Sequence, residues 1–506
     1  MRNAECGMRN RETRKVLTLK RLLSLLCFLA IIIGLFHAAN VMLFEKQHFG
    51  TAKNIAYEDP QKIDVFFIGA SHIFFGVNPM EIWNETGIAG YNLTTHQQPL
   101  WASKLLLQHA LKKQSPKLIV LDVLMATNFS RPLLGTDQGT NMTHLALDPV
   151  PLSLQKIRGV LETDPIIEKG EILFPIILSH SRLQQGLLSY DDLHFFTGDR
   201  SHPMKGYNYT ENTIAYDRPE SVPDSVHELP EGLEEVLIDF IRFCKKEGLP
   251  LLLIKTPLVG SEELYEQINY IGGIAAEQDV PFLDFNHLFD ELGIDFQSDF
   301  ADSGHLNVRG AERVSRYLAG YLKEHYDLPD HRGEPAYESW SRSAEHFANI
   351  TGLKNSTDIL LHLEAAASDK DLVTVILSGG AAESPRELPS AVIDAFRRAG
   401  LTAAPETLGE GAYCAVIKGG KAVLEKYEAS GILTDAFMVK DTRFALRASS
   451  REPDGGSFMT AVYIDKGGFY SVDPGILIVS YDMDRMETAD AVHYAYDGTF
   501  TAVHLN

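Results

Sequence analysis

A run of 23 residues near the N-terminus, Leu22 to Phe44, contains no Asp, Glu, Lys or Arg and constrains the fold more than any other feature. About 20 apolar residues in a helix span the hydrocarbon core of a bilayer, so this run predicts a transmembrane helix. Residues 1–21 before it hold seven Lys or Arg and two Asp or Glu. A basic flank favours the cytoplasmic side, which predicts a single-pass protein of the plasma membrane with its bulk outside. The alternative is a cleaved signal peptide, for which Phe36-His37-Ala38-Ala39 is a poor cleavage site.

The charge and cysteine content limit the partners and the compartment. The chain has 46 basic and 68 acidic residues, a net charge of −22, and without the first 21 residues the remainder carries −27. Such a surface argues against nucleic acid as a partner, because phosphate contacts need clustered Lys and Arg. Beyond the membrane span the cysteines are Cys244 and Cys414, which fall in different predicted domains. They provide no disulfide framework and no zinc site, a pattern typical of bacterial surface proteins.

Apolar strands alternate with amphipathic helices from residue 63 onward. The predicted strands are Val65–Ile68, Leu118–Val123, Leu251–Ile254 and Pro281–Phe285, and the predicted helices are Trp101–Lys113, Leu229–Glu247, Glu262–Gln278 and Val308–Leu322. This rhythm predicts an α/β domain with a parallel sheet and helices on both faces.

A long irregular insertion, about residues 126–226, interrupts this alternation and is expected to cover the cleft or to carry its own function. It is rich in aromatic residues and histidine, namely His180, His194, Phe195, Phe196, His202, Tyr207 and Tyr209. Two of its strings, Ser179-His180-Ser181-Arg182 and Lys205-Gly206-Tyr207, could present polar groups to a substrate. Its histidines show no recognised metal-ligand spacing, and no metal or cofactor is predicted.

Two short strings at opposite ends of the α/β domain carry the chemistry. Gly69-Ala70-Ser71-His72 follows the first strand, and Asp302-Ser303-Gly304-His305 precedes the last helix. A hydroxyl at the carboxyl end of a buried strand projects into a cleft, and it becomes a nucleophile when a base removes its proton. His305 can be that base, with Asp302 fixing its tautomer. The pattern predicts Ser71 as an acyl-transfer nucleophile; the alternative is an N-cap serine with a turn aspartate and a surface histidine.

The order and position of these strings resemble the SGNH (GDSL-like) hydrolases over about residues 55–330. The resemblance implies a flavodoxin-like sheet and a catalytic set of Ser71, Asp302 and His305. In that family a second, glycine-containing block lends a backbone N–H to the oxyanion hole, and here Gln97 stands at the glycine position. The family's third block, Gly-x-Asn-Asp, is missing, since only Asp122 and Asn128 follow the next strand.

Because the second and third blocks differ from the family pattern, other residues must form the oxyanion hole and contact the substrate. The predicted candidates are Asn92, Gln97 and Gln98, which lie between the two strings. Lys255 is a further candidate because it stands at the carboxyl end of a strand, where open α/β sheets place ligands. The alternative for Lys255 is a solvated loop lysine.

The composition changes beyond Asp330, which predicts a second module. The predicted divisions are a basic tail at 1–21, the span at 22–44, the α/β domain at 55–330, a linker at 331–356 and a C-terminal module at 357–506. In that module the strands Leu372–Leu377, Ala412–Ile417, Ala422–Glu425, Phe458–Ile464 and Ile476–Tyr481 surround one predicted helix, Glu387–Ala399. This pattern predicts an α+β or mainly β module.

Three strings of the C-terminal module resemble the interleukin-like EMT-inducer (PANDER-like) domain. They begin at Asp371, Tyr413 and Gly475 and include Thr374-Val375-Ile376, Ile417-Lys418-Gly419-Gly420 and Ile478-Val479-Ser480. The resemblance implies glycan binding, for which Tyr463, Phe469, Tyr470, Tyr494 and Tyr496 could stack on a sugar ring. A purely structural module is the alternative.

Together these features predict a membrane-anchored, extracytoplasmic esterase or O-acyltransferase that acts on a cell-envelope polysaccharide. An N-terminal anchor followed closely by the nucleophile is also similar to the bacterial proteins that transfer D-alanine to teichoic acids. That layout implies a teichoic-acid-like polymer as substrate and a membrane-bound acyltransferase as partner. The competing interpretation is a non-catalytic surface glycan-binding protein that keeps the fold with an impaired oxyanion hole.

Overall fold

One long helix leads into the folded part of the chain. The structure, a computed structural model, describes residues 2–44, 53–127, 137–162, 169–189, 192, 202–354, 356–379, 386–408, 411–450, 459–465, 467–483 and 485–505. Helix α1 (Arg2–Leu43) contains a 21-residue apolar span, Lys20–Asn40, with a mean hydropathy of 2.5. None of this span is buried, and its length and composition suit either a membrane crossing or a signal sequence. The predicted apolar N-terminal helix is confirmed, and its role as an anchor stays a prediction.

A five-stranded parallel sheet follows. Its strands are β1 (Val65–Gly69), β2 (Gly90–Thr94), β3 (Leu118–Asp122), β4 (Leu251–Lys255) and β5 (Phe282–Asp284). They lie in the order β2-β1-β3-β4-β5, and every neighbouring pair is parallel. This is the flavodoxin-like order, so the predicted fold class is confirmed. Strand β2 had no counterpart among the predicted strands.

Helices cover both faces of this sheet. In chain order they are α2 (Ser71–Gly76), α3 (Pro79–Thr86), α4 (Leu100–Ala110), α5 (Asp137–Leu147), α6 (Leu154–Glu162), α7 (Lys169–Leu173), α8 (Ile176–Gln185), α9 (Leu233–Glu247), α10 (Glu262–Glu277), α11 (Phe289–Leu292) and α12 (Val308–His325). Successive side chains of a strand point to opposite faces. Accordingly Phe66 and Ile68 of β1 share one core with α4 and α9, whereas Val65 and Phe67 share the other core with α12.

The described part of the insertion between β3 and α9 is helical in places where the sequence predicted an irregular segment, whereas residues 202–226 are irregular as predicted. It contains α5 to α8, and these helices pack on one another and on α4. The helices are short, at 11, 9, 5 and 10 residues, and helices of that length gain most of their stability from packing. The predicted positions His194, Phe195 and Phe196 lie outside the described residues.

The segment predicted as a linker, residues 331–356, contains a packed helix that the sequence did not predict. Helix α13 (Glu338–Leu353) contacts α3 of the α/β domain and a strand of the C-terminal module. Trp340 on its first turn is 1% exposed, and its indole N–H donates to the carbonyl of Gly90 at 3.0 Å. A buried tryptophan contributes a large apolar contact area. This contact stabilises the helix although turn-forming residues precede it.

The C-terminal module is built from antiparallel sheets and two helices. Its elements are α14 (Ile359–Ser368), β6 (Leu372–Gly379), β7 (Arg386–Glu387), α15 (Ser390–Arg398), β8 (Thr407–Leu408), β9 (Ala412–Lys418), β10 (Lys421–Glu428), β11 (Ile432–Val439), β12 (Thr442–Ser449), β13 (Thr460–Ile464), β14 (Gly467–Ser471), β15 (Gly475–Asp482), β16 (Glu487–Tyr496) and β17 (Phe500–His504). A six-stranded sheet in the order β10-β9-β6-β15-β16-β17 carries α14 and α15 on one face. The four-stranded sheet β11-β12-β13-β14 packs on its other face. The predicted α+β, mainly β character is confirmed, and α14 is a helix that the prediction lacked.

Candidate active site

Ser71 lies where β1 passes into α2, at the carboxyl edge of the parallel sheet. It is the first residue of the six-residue helix α2, and it is 2% exposed. Gly69 at the end of β1 permits a close approach here, because a Cβ on it would lie 2.7 Å from Ile73 Cγ1 and 3.2 Å from Asp122 Cβ. The small residue therefore lets α2 begin directly over the sheet.

His305 and Asp302 come to Ser71 from the turn before α12. His305 Nε2 lies 2.7 Å from Ser71 Oγ, and its Nδ1 lies 2.8 Å from Asp302 Oδ2. A carboxylate only accepts hydrogen bonds, so Nδ1 carries the proton and Nε2 accepts the serine hydroxyl. The structure thus brings the three predicted catalytic side chains into one hydrogen-bonded chain, with the base facing the hydroxyl.

The turn holds the Asp302 carboxylate in place with backbone donors. Asp302 Oδ1 accepts the N–H of Gly304 at 2.8 Å and that of His305 at 2.9 Å. Partial burial raises the pKa of Asp302, but the hydrogen bond and charge of His305, together with these N–H groups, hold it below the usual value. The carboxylate is therefore ionised beside the imidazole across the neutral pH range.

Aromatic rings surround the imidazole of His305. The Phe75 ring meets it edge to face with centroids 5.2 Å apart, and the His72 ring lies 5.1 Å away. His96, in the turn after β2, is half-buried, and its burial and the charge of His305 lower its pKa. His72, Phe75 and His96 are residues of this site that sequence reasoning missed as site residues, although His72 directly follows the nucleophile.

A buried polar network lies next to the triad, centred on Lys255. Its ammonium contacts His72 Nδ1 at 3.1 Å, Asp122 Oδ2 at 3.3 Å, and the carbonyl and hydroxyl oxygens of Thr256 at 2.9 and 3.1 Å. Burial lowers the pKa of Lys255, and the Asp122 carboxylate opposes that shift. Burial and the charge of Lys255 place the pKa of His72 well below 6.5, so this imidazole is neutral at pH 7.

The side chain of Lys255 is 0% exposed in this network and does not reach into an open cleft. Its predicted role in contacting substrate is therefore not what the geometry favours. Asp122, the last residue of β3, is instead the partner of Lys255, and its carboxylate also accepts the N–H of Thr256 at 3.1 Å. The signal for this pair was present in the sequence, because both residues end adjacent parallel strands.

Two of the predicted amide donors contact the protein itself. Asn92 is fully buried, and its amide donates to the carbonyl of Val77 at 2.8 Å, at the end of α2. Gln98 is also fully buried, and its amide donates to Ser103 Oγ at 2.9 Å while its carbonyl accepts from Thr95 at 3.2 Å. The geometry thus gives both side chains the task of shaping the loops around Ser71.

Gln97, in the turn after β2, has an unusual backbone conformation for a residue with a side chain. Its φ is +46°, in the left-handed region that favours glycine, and its side chain is half-buried. The turn after β2 keeps a glycine-like shape without a glycine, and it presents its backbone on the same edge of the sheet as Ser71.

Three of the predicted residues of the insertion, Lys205, Tyr207 and Arg182, are held inside the protein. Lys205 is buried and pairs with Glu58 at 2.9 Å, and Tyr207 is fully buried. Arg182 pairs with Asp192 at 2.6 Å. Their predicted contact with a substrate is not favoured by this packing.

One group of metal-ligand types occurs within the described residues, away from Ser71. Ligand atoms of His346, Asp369 and Asp371 lie within 4.8 Å of one another. His346 Nδ1 is 2.9 Å from Asp369 Oδ2, and its Nε2 faces Asp482 Oδ2 at 3.8 Å. Burial lowers the pKa of His346, but the hydrogen bond to Asp369 and the charges of Asp369 and Asp482 raise it to about 10. A protonated imidazole between two carboxylates accounts for the group without a metal ion.

Comparison with known proteins finds similarity to solved structures. No protein-family model matches it, and no curated protein matches it. A crystal structure of a "putative acylhydrolase" from Bacteroides fragilis aligns with 54% of this chain and 94% of that chain, with 11% sequence identity and a TM-score of 0.26.

Proposed function

We propose that the chain is a membrane-anchored, extracytoplasmic serine acyl-transfer enzyme of the SGNH type. Ser71 is the nucleophile, His305 the general base, and Asp302 the carboxylate that orients the base. The observation that carries this proposal is the pair of short contacts, 2.7 Å from Ser71 Oγ to His305 Nε2 and 2.8 Å from His305 Nδ1 to Asp302 Oδ2. Nucleophile, base and orienting group within hydrogen-bond reach are the signature of acyl transfer.

The reaction proceeds in two half-reactions. His305 Nε2 takes the proton of Ser71 as Oγ attacks the ester carbonyl carbon, and the carbonyl oxygen becomes an oxyanion. The ester C–O bond then breaks, and the departing alcohol takes the proton from Nε2. Water or a sugar hydroxyl next attacks the acyl-serine with His305 again as base, which restores Ser71 and gives an acid or a new ester.

Backbone N–H groups are the proposed donors to the oxyanion. Ser71 begins a helix, where the first N–H groups have no acceptor within the helix. The turn at Gln97 supplies a second N–H, and its left-handed φ supports the comparison with the family's glycine block. Asn92 and Gln98 take no part in this proposal, because their amides hold neighbouring loops.

The proposed acceptor or substrate is a polysaccharide of the cell envelope. More specifically, we propose a teichoic-acid-like polymer as the substrate and a membrane-bound acyltransferase as the partner. The C-terminal module supplies a sugar-binding surface in this proposal. Tyr463 and Tyr470 are 44% and 61% exposed, and the register of β13 and β14 puts them on the same outward face. Exposed aromatic rings can stack on sugar rings. Tyr494 is buried, so it drops out of the predicted stacking set.

Labelling with a fluorophosphonate, which modifies activated serines, tests the chemistry. The intact chain should label, Ser71→Ala should abolish labelling, and turnover of a small acetyl ester should fall by about 10³-fold or more. Ser303→Ala is the matched control because Ser303 is an exposed serine within the turn that carries Asp302 and His305, and it should label like the wild type.

Labelling that persists in Ser71→Ala would contradict the proposal. A folded wild-type chain that neither labels nor turns over esters would favour the second candidate, a non-catalytic glycan-binding protein. The observation behind that candidate is that the amides of Asn92 and Gln98 are committed to the protein's own groups.

A further inference from the structure

Helix α6 of the insertion buries a lysine and exposes two leucines, which lie on its outer surface beside the ion pair of Arg158 with Glu162. Lys156 points inward, is 2% exposed, and donates to the carbonyls of Leu147 and Val150 at 2.7 and 2.9 Å. Leu154 and Leu161 on the same helix are 85% and 58% exposed. Exposing leucines while burying a lysine costs free energy in water, so this face is suited to apolar surroundings.

Helix α8 and its C-terminal turn carry further exposed apolar residues of the insertion. Ile177, Leu178, Leu183 and Leu187 are 46%, 47%, 58% and 56% exposed. Beyond α1, every exposed leucine among the described residues lies between Leu152 and Leu187. Single exposed apolar residues are ordinary on a protein surface, whereas a concentration of them marks an interaction site.

The insertion is joined to the end of the apolar helix α1. The rings of Phe36 and Phe174 meet edge to face with centroids 5.7 Å apart. Asn40 Oδ1 accepts the backbone N–H of Ile176 at 2.8 Å, which attaches the first turn of α8 to α1. Arg182 reaches back from α8 to the carbonyl of Leu43 at 2.7 Å.

Arg182 is itself fixed, so this joint has a defined geometry. Its guanidinium contacts the carboxylate of Asp192 at 2.6 Å, and Asp192 is 0% exposed. Asp192 also accepts the N–H and the hydroxyl of Ser189, at 2.9 and 3.0 Å. The charge of Arg182 is therefore neutralised on the protein side and does not oppose contact with lipid.

We propose that α6 and α8 form a lipid-contacting platform, with Leu154, Leu161, Ile177, Leu178, Leu183 and Leu187 in the outer interface of the bilayer that α1 crosses. The span Lys20–Asn40 has 21 residues. At about 1.5 Å per residue this is about the thickness of the hydrocarbon core, so its last turn lies at the outer boundary. Phe36, Asn40 and Leu43, which contact the insertion, belong to that end of the helix.

Lipid is the occupant that the contacts favour over a protein. The platform is continuous with α1 through Phe174 and Ile176, so whatever surrounds the end of α1 also reaches α8. The sequence of α8, from Ile176 to Gln185, contains no Asp or Glu, although the chain as a whole carries −22. Interfacial helices insert an apolar face to the depth of the headgroup and acyl boundary. The inference rests on the anchoring part of the proposed function and is independent of its chemistry.

An environment-sensitive probe on the full chain tests the platform. In a background with Cys6→Ser and Cys27→Ser, NBD is attached to a cysteine introduced by Leu183→Cys, and the chain is reconstituted into phosphatidylcholine vesicles free of other proteins. Matched probes are Ile32→Cys within α1 and Val423→Cys on β10, which is 59% exposed. The readout is quenching by lipids that carry a nitroxide on the upper acyl chain.

We expect quenching at position 183 of at least about half that at position 32, with a blue-shifted emission, and none at position 423. Quenching at 183 no greater than at 423, while 32 is quenched, would overturn the platform and leave a protein partner or a second copy as the occupant of the leucines. Lack of quenching at position 32 would overturn the anchoring, and the platform with it. Fluorophosphonate labelling of Ser71 is measured separately, so the catalytic proposal succeeds or fails on other data.

Discussion

Lys255 carries its charge in a fully buried position beside the candidate active site. The cost of burying this charge is offset by contacts with the Asp122 carboxylate, with Thr256 and with the neutral ring of His72. A buried ion pair adds little stability compared with an apolar pair of the same size. Removing one partner, however, leaves the other charge buried without a counter-ion and without water. Asp122 would keep the N–H donors of Thr256 and Leu124 and lose its counter-ion.

Lys255→Met should therefore lower the free energy of unfolding by about 3–5 kcal/mol. The control is Lys104→Met, which breaks the pair of Lys104 with Asp239 at a partly exposed site and should cost about 0–1 kcal/mol. Urea unfolding of the two variants in detergent, followed by tryptophan fluorescence, measures the difference. Equal costs would show that the buried network is not coupled to the stability of the α/β domain.

At the scale of elements, the short helix α2 depends on its neighbours. With six residues it is too short to be stable alone. The amide of Asn92 on β2 holds its C-terminal end through the carbonyl of Val77. At the other end Gly69 lets the chain turn over the sheet, with a virtual Cβ only 2.7 Å from Ile73 Cγ1. The position of Ser71 is thus set by the contacts of its helix with β1, β2 and α12.

Gly69→Ala should displace α2 and lower the free energy of unfolding by about 1–3 kcal/mol, because the added methyl overlaps Ile73 and approaches Asp122. The displacement should also slow fluorophosphonate labelling of Ser71. Gly273→Ala in α10 is the matched control, because no atom lies within 4 Å of its virtual Cβ. Its greater helix propensity should stabilise the chain by about 0.5–1 kcal/mol. Unchanged stability and labelling in Gly69→Ala would show that α2 does not need the close approach.

The elements that the sequence predicted well are those with continuous apolar runs. Strands β1, β3 and β4 are such runs and lie where predicted. Strand β2, Gly90–Thr94, was missed because its glycine and asparagine are poor strand formers. Its Asn92 also shows why site details were out of reach: the acceptor of its amide, Val77, is 15 residues away in sequence and reaches it only through folding.

The same limit applies to the site as a whole. The motif spacing sufficed to nominate Ser71, Asp302 and His305, which the structure brings together although 231 residues separate the first two. Lys255 looked like a cleft residue because its strand ends at the ligand-binding edge of the sheet. Its burial was missed because it depends also on His72 from α2, although the positions of Lys255 and Asp122 at strand ends indicated their pairing.

At the scale of the whole molecule, α13 connects the α/β domain to the C-terminal module. One hydrophobic core includes Trp340 and Ile350 of α13, residues of the α/β domain, and Leu372 and Ala489 of the module. Toward the module, His346 lies between the carboxylates of Asp369 and Asp482. The sequence indicated a linker because Pro329 to Ser343 is charged and turn-rich. Its aromatic residues Tyr337 and Trp340, however, are buried in that core.

Trp340 is the residue on which this connection should depend most strongly. Besides donating to the carbonyl of Gly90 at 3.0 Å, its ring lies 4.4 Å from Lys205 Nζ and covers the buried pair of Lys205 with Glu58. Removing the ring opens a cavity, leaves a carbonyl at the start of β2 without its indole donor, and uncovers an ion pair. These effects act on the strand that positions α2, so they should reach the active site.

Trp340→Ala should therefore lower the free energy of unfolding by about 3–5 kcal/mol, and fluorophosphonate labelling of Ser71 should slow with it. Trp340→Phe keeps an aromatic ring and loses the indole donor, so its cost should be smaller, about 1–3 kcal/mol. Trp101→Phe on α4, a half-buried tryptophan, is the control and should cost less than about 1.5 kcal/mol. Urea unfolding and the labelling rate are measured on the full chain in detergent. If Trp340→Ala unfolds at the wild-type urea concentration and labels at the wild-type rate, α13 is a passive connector, and the two parts of the molecule are energetically independent.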